Sequence, residues 1–444
     1  MTIAINETHD PAIKSWVESA NRADGDFPIQ NLPFGACRRR GSTPPPRVGV
    51  AIGDFVLDVS GAHRAGLLSG LPEAVAQACK VSSLNKLMAL GQPHWSVLRR
   101  ELHSLLRADG ERAAGNQEAG RKHLLPMADA EFCLPAEIGD YTDFYASIHH
   151  ATNVGSLFRP DNPLFPNYKW VPVAYHGRAS SIVVSGTPVK RPTGQSRAKP
   201  LEPVQYGPTE RLDYELEVGF YVGPGNALGT PIPIGEAESH IFGLCLVNDW
   251  SARDIQAWEY QPLGPFLAKN FCTTVSPWVV TLEALAPFRT SAFRRIASDT
   301  TALPYLSSAD DKEHGGLDIA LEVWIRTQRM QQQGTQPVRL SSGNFKEIYW
   351  TIAQMLAHHA SNGCNLRPGD LLASGTVSGA AKESRGCLLE LTASGAAVID
   401  LPGGEKRRFL EDGDEIILRG SCQSPAFARI GFGECRGTVQ PASA

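Results

Sequence analysis

The chain has 444 residues, with 42 Lys plus Arg against 46 Asp plus Glu, a formal charge of −4, and 42% apolar against 20% charged residues. At roughly 100 to 200 residues per domain, that length implies two domains or three with a sizeable buried core. The lack of a basic excess argues against nucleic acid or an anionic membrane as the partner. Gly (42) and Pro (32) together make about 17% of the chain against a usual ~12%, which favours short strands joined by tight turns over long helices.

Residues 47–60 carry two short apolar runs around Gly53-Asp54 after Pro44-Pro45-Pro46, the pattern of a β-hairpin. Residues 83–107 show helical spacing broken by Gly91 and Pro93, which predicts two short helices. Residues 109–123 are polar and Gly/Ala-rich without an apolar period, and read as a solvated connector with a domain boundary near 130. Strand patterns follow at 179–192, 213–223, 240–250, 276–285, 316–325 and 414–420. Two helices are expected among them, one from about Ser251 to before Pro262 and one over 345–359 with Asn344 as its cap. Gln331-Gln332-Gln333 falls in a turn between strands.

The nine Cys are odd in number, scattered and without a C-x-x-C pair, so neither a disulfide framework nor a structural zinc site is expected. Residues 1–10 hold Glu7 and Asp10 where a secretory leader would be basic and then apolar. No uncharged apolar stretch approaches the ~20 residues that cross a bilayer. The expected setting is the cytoplasm, without a membrane partner.

In a strand over 213–219, Glu215 and Glu217 share a face about 6.6 Å apart, while Tyr214, Leu216 and Val218 take the other. Two carboxylates so placed repel unless a cation lies between them, although a solvent-facing strand has the same pattern. Asp249 ends a very apolar strand that passes directly into a helix, a position that suits either a site residue or a helix cap. Arg253, Gln256 and Tyr260 fall at i, i+3 and i+7, placing a cation, an amide and a phenol on one helix face suited to carboxylate or carbonyl oxygens. Asp143 and His150 are seven apart, the spacing of two helical turns. Asp143, Glu215, Glu217 and Asp249 would form an all-oxygen cage for Mg²⁺ or Ca²⁺, leaving His150 free as a base or as a structural histidine. His358 and His359 read as packing residues. No P-loop, G-x-S-x-G, H-E-x-x-H, EF-hand or dinucleotide fingerprint is present.

The blocks at 139–159 (GDYTDFYASIHHATNVGSLFR), 175–195, 212–223, 246–280 and 362–379 (NGCNLRPGDLLASGTVSG) resemble the fumarylacetoacetate hydrolase family. Residues 27–35 and the 47–60 hairpin resemble its N-terminal part, while 285–345 aligns poorly. The resemblance implies a mainly β fold with α/β elements: a small N-terminal SH3-like β-barrel over 1–133, then a larger mixed β-sandwich roll over 134–444, paired as a homodimer. It implies hydrolysis of a carbon–carbon bond in a small diketo acid, 4-fumarylacetoacetate, to fumarate and acetoacetate, the last step of tyrosine and phenylalanine breakdown. By the same resemblance Asp143, Glu215, Glu217 and Asp249 hold the divalent cation, and Lys269 and Thr273 lie at a second contact. His150 is the general base and Glu390 orients it. Tyr145, Arg159, Gln256, Tyr260 and Thr376 contact substrate, and Arg253, Gln256 and Lys269 stabilise the oxyanion. Ile148 and His149 depart from the polar, non-His pair that precedes the base in the animal members. Other readings are a related acylpyruvate hydrolase, decarboxylase or isomerase, and a calcium-stabilised binding module without turnover. The long N-terminal part disfavours the first group, and the His150/Glu390 pair with the Arg253/Gln256 stripe disfavours the second.

Overall fold

A computed structural model describes residues 3–109, 113–199, 201–296 and 299–443. The central sheet runs in the order Ala174–Gly177, Tyr141–Phe144, Leu371–Ala373, Leu216–Val222, Ile241–Asp249, Thr273–Val275, Ile182–Val184, with Val280–Thr281 added beside Ile241–Asp249. A five-stranded sheet (Val338–Asn344, Ala320–Arg326, Glu415–Ser424, Phe427–Gln440, Val189–Lys190) packs on one side of it. Alternation along the strands shows how the core is divided. Leu216, Val218, Phe220, Leu244 and Leu246 join Leu321, Val323 and Leu418 of the five-stranded sheet. Tyr221, Cys245 and Val247 instead join Val48, Val50, Leu98 and Leu102 of the N-terminal part. Both faces are thus buried, which is why 241–247 is apolar at every position rather than at every second one.

The N-terminal part is an antiparallel five-stranded sheet in the order Leu124–Pro126, Phe55–Asp58, Arg47–Ile52, Phe34–Arg39, Ala130–Cys133. Its hairpin turns at Gly53 with φ of 55°, as the Gly53-Asp54 signal predicts. Several local expectations are corrected. Residues 109–123 contain a helix, Ala113–Arg121, because Ala and Gln favour helix despite the weak apolar period. The two helices expected over 83–107 form as Asn85–Met88 and Gln92–Leu106, parted at Gly91; only the length of the second differs, 15 residues, because Pro93 sits in its first turn, where the missing N–H costs nothing. The predicted strand at 276–285 reduces to Val280–Thr281. The predicted helix at 345–359 is a 3-10 turn, Phe345–Glu347, capped by Asn344, followed by Ile352–Ala360 with its own Thr351/Gln354 capping box. The Gln triplet begins inside a short helix, Gln328–Gln332. The nine cysteines are all free. Among the described residues no helix is long and apolar enough to cross a membrane.

Two features aim the central sheet's strand ends at one place. Asp143, Glu217 and Asp249 share the strand parity of Tyr141, Tyr221 and Val247, and lie on three neighbouring or next-neighbouring strands, linked by the registers Ala373↔Asp143, Gly219↔Ala373 and Glu217↔Val247. Gly375 has φ of 73°, and a Cβ there would stand 2.2 Å from the Phe144 carbonyl oxygen. Only a glycine lets the segment after Leu371–Ala373 press against the chain leading from Asp143 to His150.

Candidate active site

Asp143, Glu215, Glu217 and Asp249 are all buried, and each offers an oxygen within 4.8 Å of the others'. Lys269 Nζ donates to Glu215 Oε2 and, at 2.9 Å, to Asp249 Oδ2. Thr273 Oγ1 donates to Asp249 Oδ1 at 2.8 Å, and Tyr175 OH to Asp249 Oδ2 at 2.8 Å. Arg253 pairs with Glu215 Oε1 at 2.8 Å through Nη1 and with Asp213 Oδ2 at 2.9 Å through Nε. Five carboxylates therefore face two protein cations. The deficit is local: both Glu217 oxygens and Asp143 Oδ1 are buried without a hydrogen-bond partner. An orphaned buried acceptor costs free energy, and three together mark where a cation fits. Burial, with the charge of Asp249 beside Asp143 and of Asp143 beside Glu217, pushes both carboxyls well above their ordinary pKa. Glu215 goes the other way, because Lys269 and Arg253 outweigh its burial and hold it below the usual range. An all-oxygen set of this kind suits a hard divalent cation.

His150 stands beside this cluster, near enough that a protonated ring would lower Glu215. It lies in the helix Ile148–Phe158, which starts at Ser147: Ser147 Oγ accepts from the His150 backbone N–H and donates to the Ser378 carbonyl at 2.9 Å. His150 Nδ1 is 2.6 Å from Glu390 Oε2. Because a carboxylate only accepts, a proton is on Nδ1, and in the neutral ring this tautomer leaves the lone pair on Nε2. Asn153 Nδ2 donates to Glu390 Oε1 at 2.7 Å and Ser378 Oγ to Oε2 at 2.8 Å. Burial raises Glu390, but His150 and these donors prevail and hold its pKa down at about 2. Tyr145 sets its ring edge-on to the imidazole with centroids 5.2 Å apart.

The chain places the remaining predicted residues at different depths. Gln256 Oε1 accepts from Arg253 Nη1 at 3.1 Å, and Arg253 Nη2 is a buried donor with no partner. Thr376 Oγ1 is likewise buried and unpartnered. The polar contacts of Arg159 and Tyr260 lie away from the carboxylates. Arg159 donates to the Pro163 carbonyl at 3.1 Å and stacks 4.0 Å over Phe165, and Tyr260, 43% exposed, accepts from Gln261. Asp143 ends a strand and His150 opens the helix after it, so their spacing of seven is a strand-to-helix passage and not two helical turns. His358 and His359 bond to Tyr305 and Thr142, away from the cluster.

Sequence reading missed four supports. Tyr175 and Ser378 carried no local signal, and Asn153 sits one turn after His150 on a helix whose face was unknown. Asp213 was legible in principle as the first acid of the Asp213-x-Glu215-x-Glu217 alternation. It accepts from the Leu388 and Leu389 backbone N–H groups at 2.8 and 2.9 Å, tying the short helix that carries Glu390 to Arg253.

The matching family models are fumarylacetoacetate hydrolase C-terminal over residues 140–440 and fumarylacetoacetase N-terminal over 30–135. The chain belongs to the fumarylacetoacetate hydrolase family. It is similar to the fumarylacetoacetase of Oryza sativa, 49% identical over 97% of this chain and 98% of that one. It is similar to those of Bos taurus and Homo sapiens, each 51% identical over 94% of this chain and 97% of theirs. The C-terminal match includes 285–345, the stretch whose motifs alone could not be aligned. The chain is accordingly an enzyme, a hydrolase acting on a carbon–carbon bond.

Proposed function

We propose that the chain hydrolyses 4-fumarylacetoacetate to fumarate and acetoacetate, the last step of tyrosine and phenylalanine breakdown, in the cytoplasm and with Mg²⁺ or Ca²⁺ as cofactor. The observation that carries this reading is the buried His150–Glu390 pair set against four carboxylates with unpartnered oxygens. Asp143, Glu215, Glu217 and Asp249 would hold the cation, with Thr273 and Tyr175 orienting Asp249 and Lys269 balancing charge. When bound, the cation supplies Lewis acidity toward the diketo oxygens of the substrate.

The chain's own groups perform the proton and charge work. His150 Nε2 takes a proton from water as that water attacks the carbonyl on the fumaryl side. Glu390 fixes the tautomer and stabilises the imidazolium that forms. The free Arg253 Nη2–H, the third Lys269 N–H and the Gln256 amide stabilise the oxyanion, each contributing on the order of 3 kcal/mol when aligned. His150 then returns its proton to the departing acetoacetate carbon. Tyr145, Arg159, Gln256, Tyr260 and Thr376 position the substrate, the unpartnered Thr376 hydroxyl being ready to bond it.

In the same reading residues 1–133 form an SH3-like barrel domain and 134–444 the catalytic domain. Two copies pair as a homodimer. The test is the loss of substrate ultraviolet absorbance on adding purified protein, with chelator and after Mg²⁺ repletion. The reading expects turnover that chelator stops and Mg²⁺ restores; absence of turnover under every metal condition would overturn it. Light scattering checks the dimer.

A further inference from the structure

Glu390 Oε2 has a third neighbour that the reaction does not use: Cys387 Sγ donates to it at 3.2 Å. His150, Cys387 and Glu390 are all buried, with one ligand atom from each lying within 4.8 Å of the others'. The set differs in kind from the four carboxylates nearby. It offers nitrogen, sulfur and oxygen, the donors of a tetrahedral Zn²⁺ site with three protein ligands. Bond lengths of ~2.3 Å to sulfur and ~2.0 Å to nitrogen put such ligand atoms roughly 3.5 Å apart, a small change from the distances present.

We propose that His150, Cys387 and Glu390 form an inhibitory site for Zn²⁺ and other thiophilic divalent cations, separate from the carboxylate site for the hard cofactor. Binding forms bonds from the cation to His150 Nδ1, Cys387 Sγ and a Glu390 oxygen. The thiol proton leaves to solvent, while the imidazole proton now on Nδ1 is lost there and regained on Nε2, so one proton is released for each cation bound. The lone pair that would accept the water proton is thereby consumed without any substrate contact being touched. Mg²⁺ does not compete, because it prefers oxygen and takes thiolate poorly.

The experiment uses Mg²⁺-replete enzyme. Zn²⁺ is expected to inhibit hydrolysis, with chelator reversing the effect and excess Mg²⁺ leaving it unchanged. Cys387→Ser is expected to raise the half-inhibitory Zn²⁺ concentration, relative to the variant's own zinc-free rate, by more than about tenfold, since losing even a group that merely supports a ligand costs that much. Cd²⁺ should give an ultraviolet thiolate charge-transfer band that persists in Cys364→Ser and disappears in Cys387→Ser. Should Cys387→Ser fold poorly, X-ray absorption of zinc-loaded wild type should show one sulfur ligand. Inhibition relieved by Mg²⁺, a half-inhibitory concentration unmoved by Cys387→Ser, or zinc without a sulfur ligand would each overturn the proposal. The inhibition arm rests on the hydrolase reading, whereas the Cd²⁺ band is read without turnover, so the two can fail separately.

Discussion

Glu390→Gln removes the charge beneath the proposed base while keeping an oxygen that can accept from His150 Nδ1–H. Glu390 is buried, and desolvation alone would raise its pKa from the ordinary 4.5, yet it is held at about 2. Holding a buried carboxyl that far down takes interactions on the order of 3 kcal/mol in favour of the ionised form, with His150 first among them and Asn153 and Ser378 behind it. If the imidazolium that forms during proton abstraction draws on that interaction, its loss lowers kcat by about a hundredfold at 1.36 kcal/mol per decade. KM and Mg²⁺ affinity should change little, because the proposed roles put neither substrate nor cation on Glu390. A depressed carboxyl also stabilises the fold above its unfolded pKa and loses that contribution as pH falls from about 4.5 through about 2. The variant should therefore melt lower than wild type at neutral pH and converge with it near pH 2. Steady-state kinetics across pH, with Mg²⁺ titration by calorimetry, reads all but the last. A kcat within about threefold of wild type, or Mg²⁺ affinity falling in step with kcat, would refute the reasoning.

His150→Ala should abolish hydrolysis, a loss of at least about a hundredfold, with Mg²⁺ binding retained by calorimetry; activity within about tenfold of wild type would move the base to His149 or elsewhere. Glu217→Ala removes two unpartnered acceptors and should weaken Mg²⁺ or Ca²⁺ affinity without lowering the melting temperature of the cation-free protein. Asp311 is raised to about 6 by burial, although Thr351 Oγ1 donates to it at 2.7 Å. A raised carboxyl favours folding below its unfolded pKa of 3.8, and that contribution is lost as pH rises through about 6. Asp311→Asn should therefore gain melting temperature relative to wild type above pH 6 and lose that gain below pH 4, as differential scanning calorimetry would show.

What was legible in the sequence followed periodicity and chain adjacency. Asp249 at the end of an apolar strand and Arg253 on the following helix are local patterns, and the fold keeps them; the strand expected over 213–219 is instead broken, with Glu215 between Leu212–Asp213 and Leu216–Val222. The His150–Glu390 contact joins residues 240 apart in the chain and left no periodic trace. It depends on the helix after Phe144 meeting the short helix after Cys387, an encounter arranged by Gly375 and Asp213 that only family resemblance could anticipate. The longest strand, Phe427–Gln440, escaped notice because Gly431, Gly433 and Gly437 interrupt its pattern. Gly437 is there for packing: a Cβ would stand 2.7 Å from the buried Trp250 ring, so the strand can cover that indole only as glycine. Residues 345–359 misled in the opposite way, since Phe345, Ile348 and Ile352 keep helical spacing and are all buried although the chain breaks into a turn and a helix.

Isotope placement tests the central claim, that water deprotonated by His150 adds to the fumaryl carbonyl and the carbon–carbon bond breaks, most directly. Turnover of 4-fumarylacetoacetate by the Mg²⁺-replete enzyme in ¹⁸O-labelled water, stopped early and analysed by mass spectrometry, should give fumarate carrying one labelled oxygen in the newly formed carboxylate. Acetoacetate should carry none from the reaction itself, beyond what its ketone exchanges in an enzyme-free control. Unlabelled fumarate, a product isomeric with the substrate, or release of carbon dioxide in its place would contradict the account.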